Sequence, residues 1–190
     1  MRAGRPEKTT HREIELVAFE LFASRGFEAT TVDDIAAEIG VSRRTVFRYF
    51  PSKNDIVWGD FDWVIGRLRD ALHSSPRDEP LIDSVARAVV VSNSYSDDEL
   101  ERLRARISLI VSVPTLQAHS VIRYRAWRHV VAAFAGDRLG LNPAELAPQV
   151  IAHAALGTSV AAFTRWATIG GGTPVDDLER AFRILVAGLD

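Results

Sequence analysis

Thr30-Thr31-Val32-Asp33-Asp34-Ile35-Ala36-Ala37-Glu38-Ile39-Gly40-Val41-Ser42-Arg43-Arg44-Thr45-Val46-Phe47-Arg48-Tyr49-Phe50-Pro51 is punctuated as two short helices about a tight turn. Thr31 can cap the first of them, with Asp34 three residues on at the positive end of the helix. Val32, Ile35, Ala36 and Ile39 recur at i, i+3, i+4 and i+7, so one side is core. Gly40-Val41 ends that helix, Ser42 caps a second over 43–50, and Pro51 stops it. Upstream, Ile14, Val17, Ala18, Leu21 and Phe22 make one stripe of a helix predicted from about Pro6 or Glu7 to Arg25, with Gly26 as its stop. A short pair packed on a longer first helix is a helix-turn-helix unit.

Downstream the helical period continues. Ser52 can cap a fourth helix, where Val57, Phe61, Val64, Ile65, Leu68 and Leu72 keep one face as far as His73, so a single long helix is expected. Ser74-Ser75-Pro76-Arg77-Asp78-Glu79-Pro80 reads as a linker. Beyond it lie a helix with a Ser96…Glu99 capping box, one over 116–139, one opening at Asn142-Pro143, and a last one opening at Thr173-Pro174. Pro148 sits awkwardly near the start of the third of these, which either begins there or is bent. The fold expected is all-α, about nine helices: a three-helix head over 1–51 and a larger helical ligand-binding and dimerisation domain over 52–190.

The 190 residues are 47% hydrophobic and 25% charged, which suits one globular core or a core with a small satellite. No apolar run reaches the roughly 18 residues of a membrane span, and the charged start is unlike a signal peptide, so a cytoplasmic protein without a membrane partner is expected. The absence of cysteine excludes disulfides, thiolate metal sites and cysteine nucleophiles. Motifs of hydrolases, phosphate-binding loops and zinc peptidases are missing, and the five histidines are scattered. Neither an enzyme nor a cofactor is expected.

The net charge of −2 argues globally against nucleic acid, yet from Ile39 to Lys53 there are four cations and no acid: Arg43, Arg44, Arg48 and Lys53. Arg44 and Arg48 share a helix face, while Val46 and Phe50 share the opposite one. In a helix-turn-helix the second helix enters the major groove, where arginine can bridge O6 and N7 of guanine. Arg43 and Arg44 are therefore the candidates for base reading, and Thr45 for a thymine methyl or a phosphate. Arg48 shares their side, and Tyr49, Lys53, Thr30 and Thr31 are candidates for the sugar–phosphate backbone. A charge run alone is usually a solvated face; the capped, glycine-turned, proline-stopped grammar around it is what favours DNA.

Gly26-Phe27-Glu28-Ala29-Thr30-Thr31-Val32-Asp33-Asp34-Ile35-Ala36, Gly40-Val41-Ser42 and Tyr49-Phe50-Pro51-Ser52-Lys53 together resemble the TetR family of one-component transcriptional regulators. The likeness covers about the first 60 residues; the remainder matches in length and helical character. Within the family the chain resembles most the regulators of the mycofactocin system, on Lys53-Asn54-Asp55 followed by Trp58-Gly59-Asp60-Phe61-Asp62. The resemblance implies Thr45, Tyr49 and Lys53 on DNA with Arg43 and Arg44 reading bases. Phe47 departs from it, standing where tyrosine is frequent, and Arg48 is a substitute for the lost phosphate contact. Gly4-Arg5-Pro6 is a short basic arm, for which an unbound tail is the plainer reading.

A single head grips one half-site, so a palindromic double-stranded operator calls for a homodimer. In the last helix Val175, Leu178, Phe182, Leu185 and Leu189 are spaced 3, 4, 3, 4 like a coiled-coil seam, and Ala154, Gly157 and Ala161 on the preceding helix permit close approach; intrachain core packing explains either helix alone, and the two together favour a dimer. The resemblance further implies a small-molecule effector in the larger domain. Trp58, Phe61, Tyr124, Trp127 and Phe163 are candidate walls, with Trp63 and Trp166 in reserve and Arg123, Arg125 and Arg128 at the mouth. For the mycofactocin-type regulators it implies a long-chain acyl-CoA type of effector. The alternative from the residues is a helical ligand-binding or adaptor protein without DNA contact.

Overall fold

The computed structural model describes residues 10–188, and among them there are ten helices and no strand. They divide into two compact units that meet in the chain between Gly59 and Asp60.

The N-terminal unit holds α1 (His11–Arg25), α2 (Val32–Ile39), α3 (Arg43–Tyr49) and α4 (Lys53–Trp58). α1 begins later than Pro6 or Glu7, both outside the described residues, because Thr10 closes a capping box: its hydroxyl accepts from the Glu13 N–H at 3.1 Å while the Glu13 carboxylate accepts from the Thr10 N–H. Its Ile14, Ala18, Leu21 and Phe22 are buried, packing α1 on α2 and α4. Thr31 caps α2 through the Asp34 N–H at 3.1 Å. Gly40 then takes φ +79°, which lets the Val41 N–H reach back to the Ala36 carbonyl at 2.9 Å and turns the chain into α3. Ser42 caps α3, and Phe50 before Pro51 is extended, as the proline ring demands.

The expected long fourth helix is two. Gly59 lies at φ +55°, ψ −143°, a conformation open essentially to glycine alone, so α4 stops after Trp58 and Asp60 caps a new helix, α5 (Phe61–His73). α4 packs on α1, which extends the first unit past the Pro51 boundary expected from sequence. This break accounts for ten helices rather than nine.

The second unit comprises α5, α6 (Leu81–Ser92), α7 (Asp97–Ser112), α8 (Pro114–Leu139), α9 (Leu146–Ile169) and α10 (Pro174–Ala187). Its core joins Leu68, Val85, Val89, Trp127, Val131, Ala155, Leu178 and Phe182. α9 packs on α7, α8 and α10 and is the centre of the unit. Contrary to the sequence expectation, its 24 residues are long and apolar enough to cross a membrane by length and composition, and 28% of that apolar window is buried within the chain. Pro148 stands in its first turn, where no intrahelical N–H is missed, so α9 starts at Leu146 and Asn142 instead caps the preceding turn through the Ala144 N–H at 2.9 Å.

The stretch 74–80 is no boundary between domains. Arg138 donates to the carbonyls of Pro76, Arg77 and Glu79, and Arg87 donates to Ser75 Oγ and to both Glu79 carboxylate oxygens. Two half-buried arginines thus hold an apparent linker as an ordered connection.

Candidate nucleic-acid interface

The side chains of α3 sort by face. Val46 and the following Phe50 are 0% and 2% exposed, whereas Arg43, Arg44 and Arg48 are all exposed. Arg44 and Arg48, each two positions from Val46, project about 160° away from it at 100° per residue. The core takes one side of the helix and leaves the cations on the other.

Their partners differ. Arg43, on the flank, donates through Nη1 to Asp33 Oδ2 at 2.9 Å, and its guanidinium lies 5.2 Å over the Phe47 ring. Both members of that ion pair are well exposed, so it is weak and exchangeable. Arg48 lies 5.0 Å over the Tyr49 ring and reaches its hydroxyl at 3.5 Å. Arg44 has no hydrogen bond or ion pair among the described residues and is the most available of the three. Thr45 is half-buried, its hydroxyl 2.9 Å from Ser42 Oγ.

Two expected phosphate contacts are placed otherwise. Thr30 is fully buried; its hydroxyl donates to the Gly26 carbonyl at 2.8 Å, fixing the α1–α2 turn instead of facing solvent. Lys53 Nζ donates to the carbonyls of Phe27 at 2.7 Å and Thr30 at 2.9 Å and sits 4.2 Å over the Phe27 ring. Partial burial holds its ammonium below the usual lysine pKa, with the Glu28 carboxylate opposing. Lys53 is a strut that ties α4 to the α1–α2 turn. Thr31 is exposed, but its N–H and hydroxyl both donate to the Asp34 carboxylate, at 2.8 and 2.6 Å. Those bonds, ahead of the Arg25 guanidinium, hold Asp34 below the ordinary carboxylate range. With Asp33 beside it, the start of α2 presents negative charge, which disfavours a phosphate there.

Sequence reading missed Asp33 and Phe27. Asp33 lies ten residues from Arg43 and Phe27 lies 26 from Lys53, separations that no helical period connects.

This arrangement of α2, Gly40 turn and basic α3 is matched by known proteins. Residues 16–57 match the family described as bacterial regulatory proteins, tetR family, and residues 79–190 match the MftR C-terminal domain. The chain belongs to the TetR family of transcriptional regulators. It is 38% identical over 189 residues to the inferred mycofactocin biosynthesis transcriptional regulator MftR of Mycobacterium tuberculosis, spanning 100% of this chain and 96% of that one. Among solved structures, a Bacillus subtilis FadR in complex with stearoyl-CoA superposes with a TM-score of 0.62 at 18% identity, covering 95% of this chain and 100% of that one. A Thermus thermophilus FadR in complex with lauroyl-CoA gives 0.58 at 20% identity, with 95% of each chain covered. Those two likenesses establish the fold. As a TetR-family regulator the chain is not an enzyme, and its family binds DNA operators and small-molecule effectors.

Of the expected effector walls of this TetR-family regulator, Phe61, Trp127 and Phe163 meet at the core of the C-terminal unit. Trp58 belongs to the N-terminal unit, whereas the others belong to the C-terminal one. Trp127 is 5% exposed within the core, against which Phe61 and Phe163 also pack. Trp166 is fully buried and donates Nε1–H to the Gly172 carbonyl at 3.2 Å, under the Arg104 guanidinium. Trp63 is exposed beneath Arg67. Burial raises the Tyr124 phenol above its ordinary pKa. Arg125 is exposed and Arg128 half-buried. From Arg123 to Arg125 the direction turns by about 200°, whereas Arg125 and Arg128 lie about 60° apart on α8.

The expected dimer seam is also redistributed. Leu178 and Phe182, 0% and 2% exposed, face α6 and α9 of the same chain, because the apolar stripe of α10 closes this unit's own core. Val175 and Leu185 are half-buried, and Leu189 lies outside the described residues. On α9, Gly157 and Ala161 are exposed and Ala154 is half-buried, in line with exposed Val150. Ile184 on α10 is 52% exposed.

Proposed function

We propose that this regulator is a repressor that binds a palindromic operator as a homodimer and is released by a small amphipathic effector. The observation that carries the operator reading is the exposed face of α3, where Arg44 stands unengaged between Arg43 and Arg48 while Val46 anchors the opposite side. Arg43 and Arg44 read base edges, Arg48 and Tyr49 contact the backbone, and Thr45 lies at the helix start. The domains serve these roles separately, with the head ending near the Pro51–Gly59 stretch and the larger domain holding the effector and the dimer face.

The dimer reading is supported by Val150, Ala154, Gly157 and Ala161, spaced 4, 3, 4 along α9 with small or apolar side chains that the chain itself leaves accessible. The effector reading is supported by the MftR C-terminal likeness and by the fold shared with two acyl-CoA-bound regulators; a long-chain acyl-CoA type of molecule is the first to try. A coupling of about 1–3 kcal/mol suffices for release, changing operator affinity roughly 5- to 150-fold.

Selection of bound duplexes from a random pool tests the reading directly: an inverted repeat is expected. Against that operator Arg44→Ala costs about 1–3 kcal/mol and relaxes preference at one base pair of each half-site. A selection that returns no enriched sequence removes the operator reading.

A further inference from the structure

A cationic site apart from Arg123, Arg125 and Arg128 lies between α5 and α8, where a cleft of about 430 Å³ opens beside the ordered 74–80 connection. That volume falls within the roughly 300–1,000 Å³ typical of small-molecule pockets. Arg69 on α5, Arg77 in the connection and Arg138 on α8 line it, with Asp137 as the only acid. Three guanidinium groups against one carboxylate leave a local excess of two positive charges, in a chain whose net charge is −2.

The three arginines are not equivalent. Arg138 is committed to the carbonyls of the connection and lies 5.5 Å over the Phe134 ring, so it builds a fixed wall. Arg77 pairs with Asp137 at 3.4 Å, but both side chains are 66% or more exposed and the pair is easily exchanged. The Arg69 carbonyl bonds the His73 ring at 2.8 Å, and its guanidinium has no hydrogen bond or ion pair among the described residues. Beneath these charges Leu72, Val130, Ala133 and Phe134 give the cleft an apolar floor. An apolar floor with an uncommitted guanidinium at its edge is the complement of an amphipathic organic anion, since guanidinium forks match carboxylate and phosphate oxygens.

We infer that this cleft binds an organic anion, a phosphate or carboxylate on an apolar body, with Arg69 as the principal anion contact and Arg77 exchanging from Asp137 to join it. The inference deepens the effector reading and rests on it only for the regulatory consequence; binding itself does not depend on DNA.

The test is calorimetric titration of the full chain, below micelle-forming concentrations, with decyl phosphate, decanoate, decanol and inorganic phosphate. Decyl phosphate or decanoate is expected to bind one per chain, at least tenfold more tightly than decanol or inorganic phosphate. Arg69→Gln weakens that binding at least tenfold, and Ala133→Phe, which fills the floor from an exposed position, does the same. Both variants should keep the wild-type urea midpoint. Wild-type affinity in either variant, absence of binding by both amphiphiles, or equal binding of decanol overturns the assignment. Inorganic phosphate binding as tightly as decyl phosphate overturns the role of the floor. Operator binding by ligand-free Arg69→Gln separates the two readings: if wild-type and variant both fail to bind DNA while the amphiphile still binds, the operator reading fails and the cleft assignment stands.

Discussion

Replacing Lys53 by methionine distinguishes a strut from a phosphate contact. Methionine keeps an apolar stem of similar length and removes only the ammonium. Two carbonyl acceptors, those of Phe27 at 2.7 Å and Thr30 at 2.9 Å, then lose their donor, and the Phe27 ring loses a cation 4.2 Å away. A hydrogen bond from a charged group contributes about 1.5–3 kcal/mol and a partly exposed cation–π contact about 0.5–1 kcal/mol. Lys53 is only half-buried, water can replace part of the loss, and the contacts are coupled, so the expected destabilisation is about 2–4 kcal/mol rather than the full sum. Urea denaturation followed by circular dichroism should show the N-terminal unit unfolding at about 1–2 M lower denaturant, for slopes near 2 kcal/mol/M. Operator affinity, measured where the variant is folded, should keep the wild-type dependence on salt. A phosphate-contacting lysine would behave in the opposite way, with unchanged stability and a slope of log K against log salt smaller by about 0.9. That second pattern refutes the strut and restores the contact expected from sequence.

Asp33→Asn removes both the exposed pair to Arg43 and a negative charge beside the reading helix; stability should change by less than about 1 kcal/mol while operator affinity rises in fluorescence anisotropy. Weaker binding by that variant would mean that Asp33 orients Arg43 usefully. The Glu79 carboxyl is held at about 2 by hydrogen bonds from Arg87 and then Ser84, so its contribution is fully present above the ordinary value of 4.5 and is lost as pH falls toward 2. Glu79→Gln should therefore flatten the stability–pH curve between those values, and an unaltered curve would contradict the assignment. Gly59→Ala forces a side chain onto φ +55°, ψ −143° and should cost about 1–3 kcal/mol in urea denaturation; no cost would show that the α4–α5 break can relax into continuous helix.

Much of this molecule is local in origin. Capping by Thr31, Ser42, Ser52 and Thr173 and the Gly40 turn follow from neighbours within four residues, and so does the opposition of Val46 to Arg44 and Arg48 on α3. The all-helical class and the basic reading face were therefore legible in the chain alone. Gly59 was the exception within local range: an unbroken apolar period masked it, and its backbone conformation decided the matter.

Tertiary structure decided what no period encodes. The seam residues Leu178 and Phe182 have the spacing of a dimer stripe, yet the same stripe satisfies an intrachain core, and periodicity cannot say which partner fills it. Lys53 and Thr30 look like surface polar groups until the α1–α2 turn brings carbonyls to them. Arg69, Arg77 and Arg138 span 69 residues of sequence and become one charged cleft only when α5 and α8 pack side by side. Sequence fixes which faces exist, because side-chain direction repeats with the backbone; which face meets which depends on competition among all of them for one buried interior.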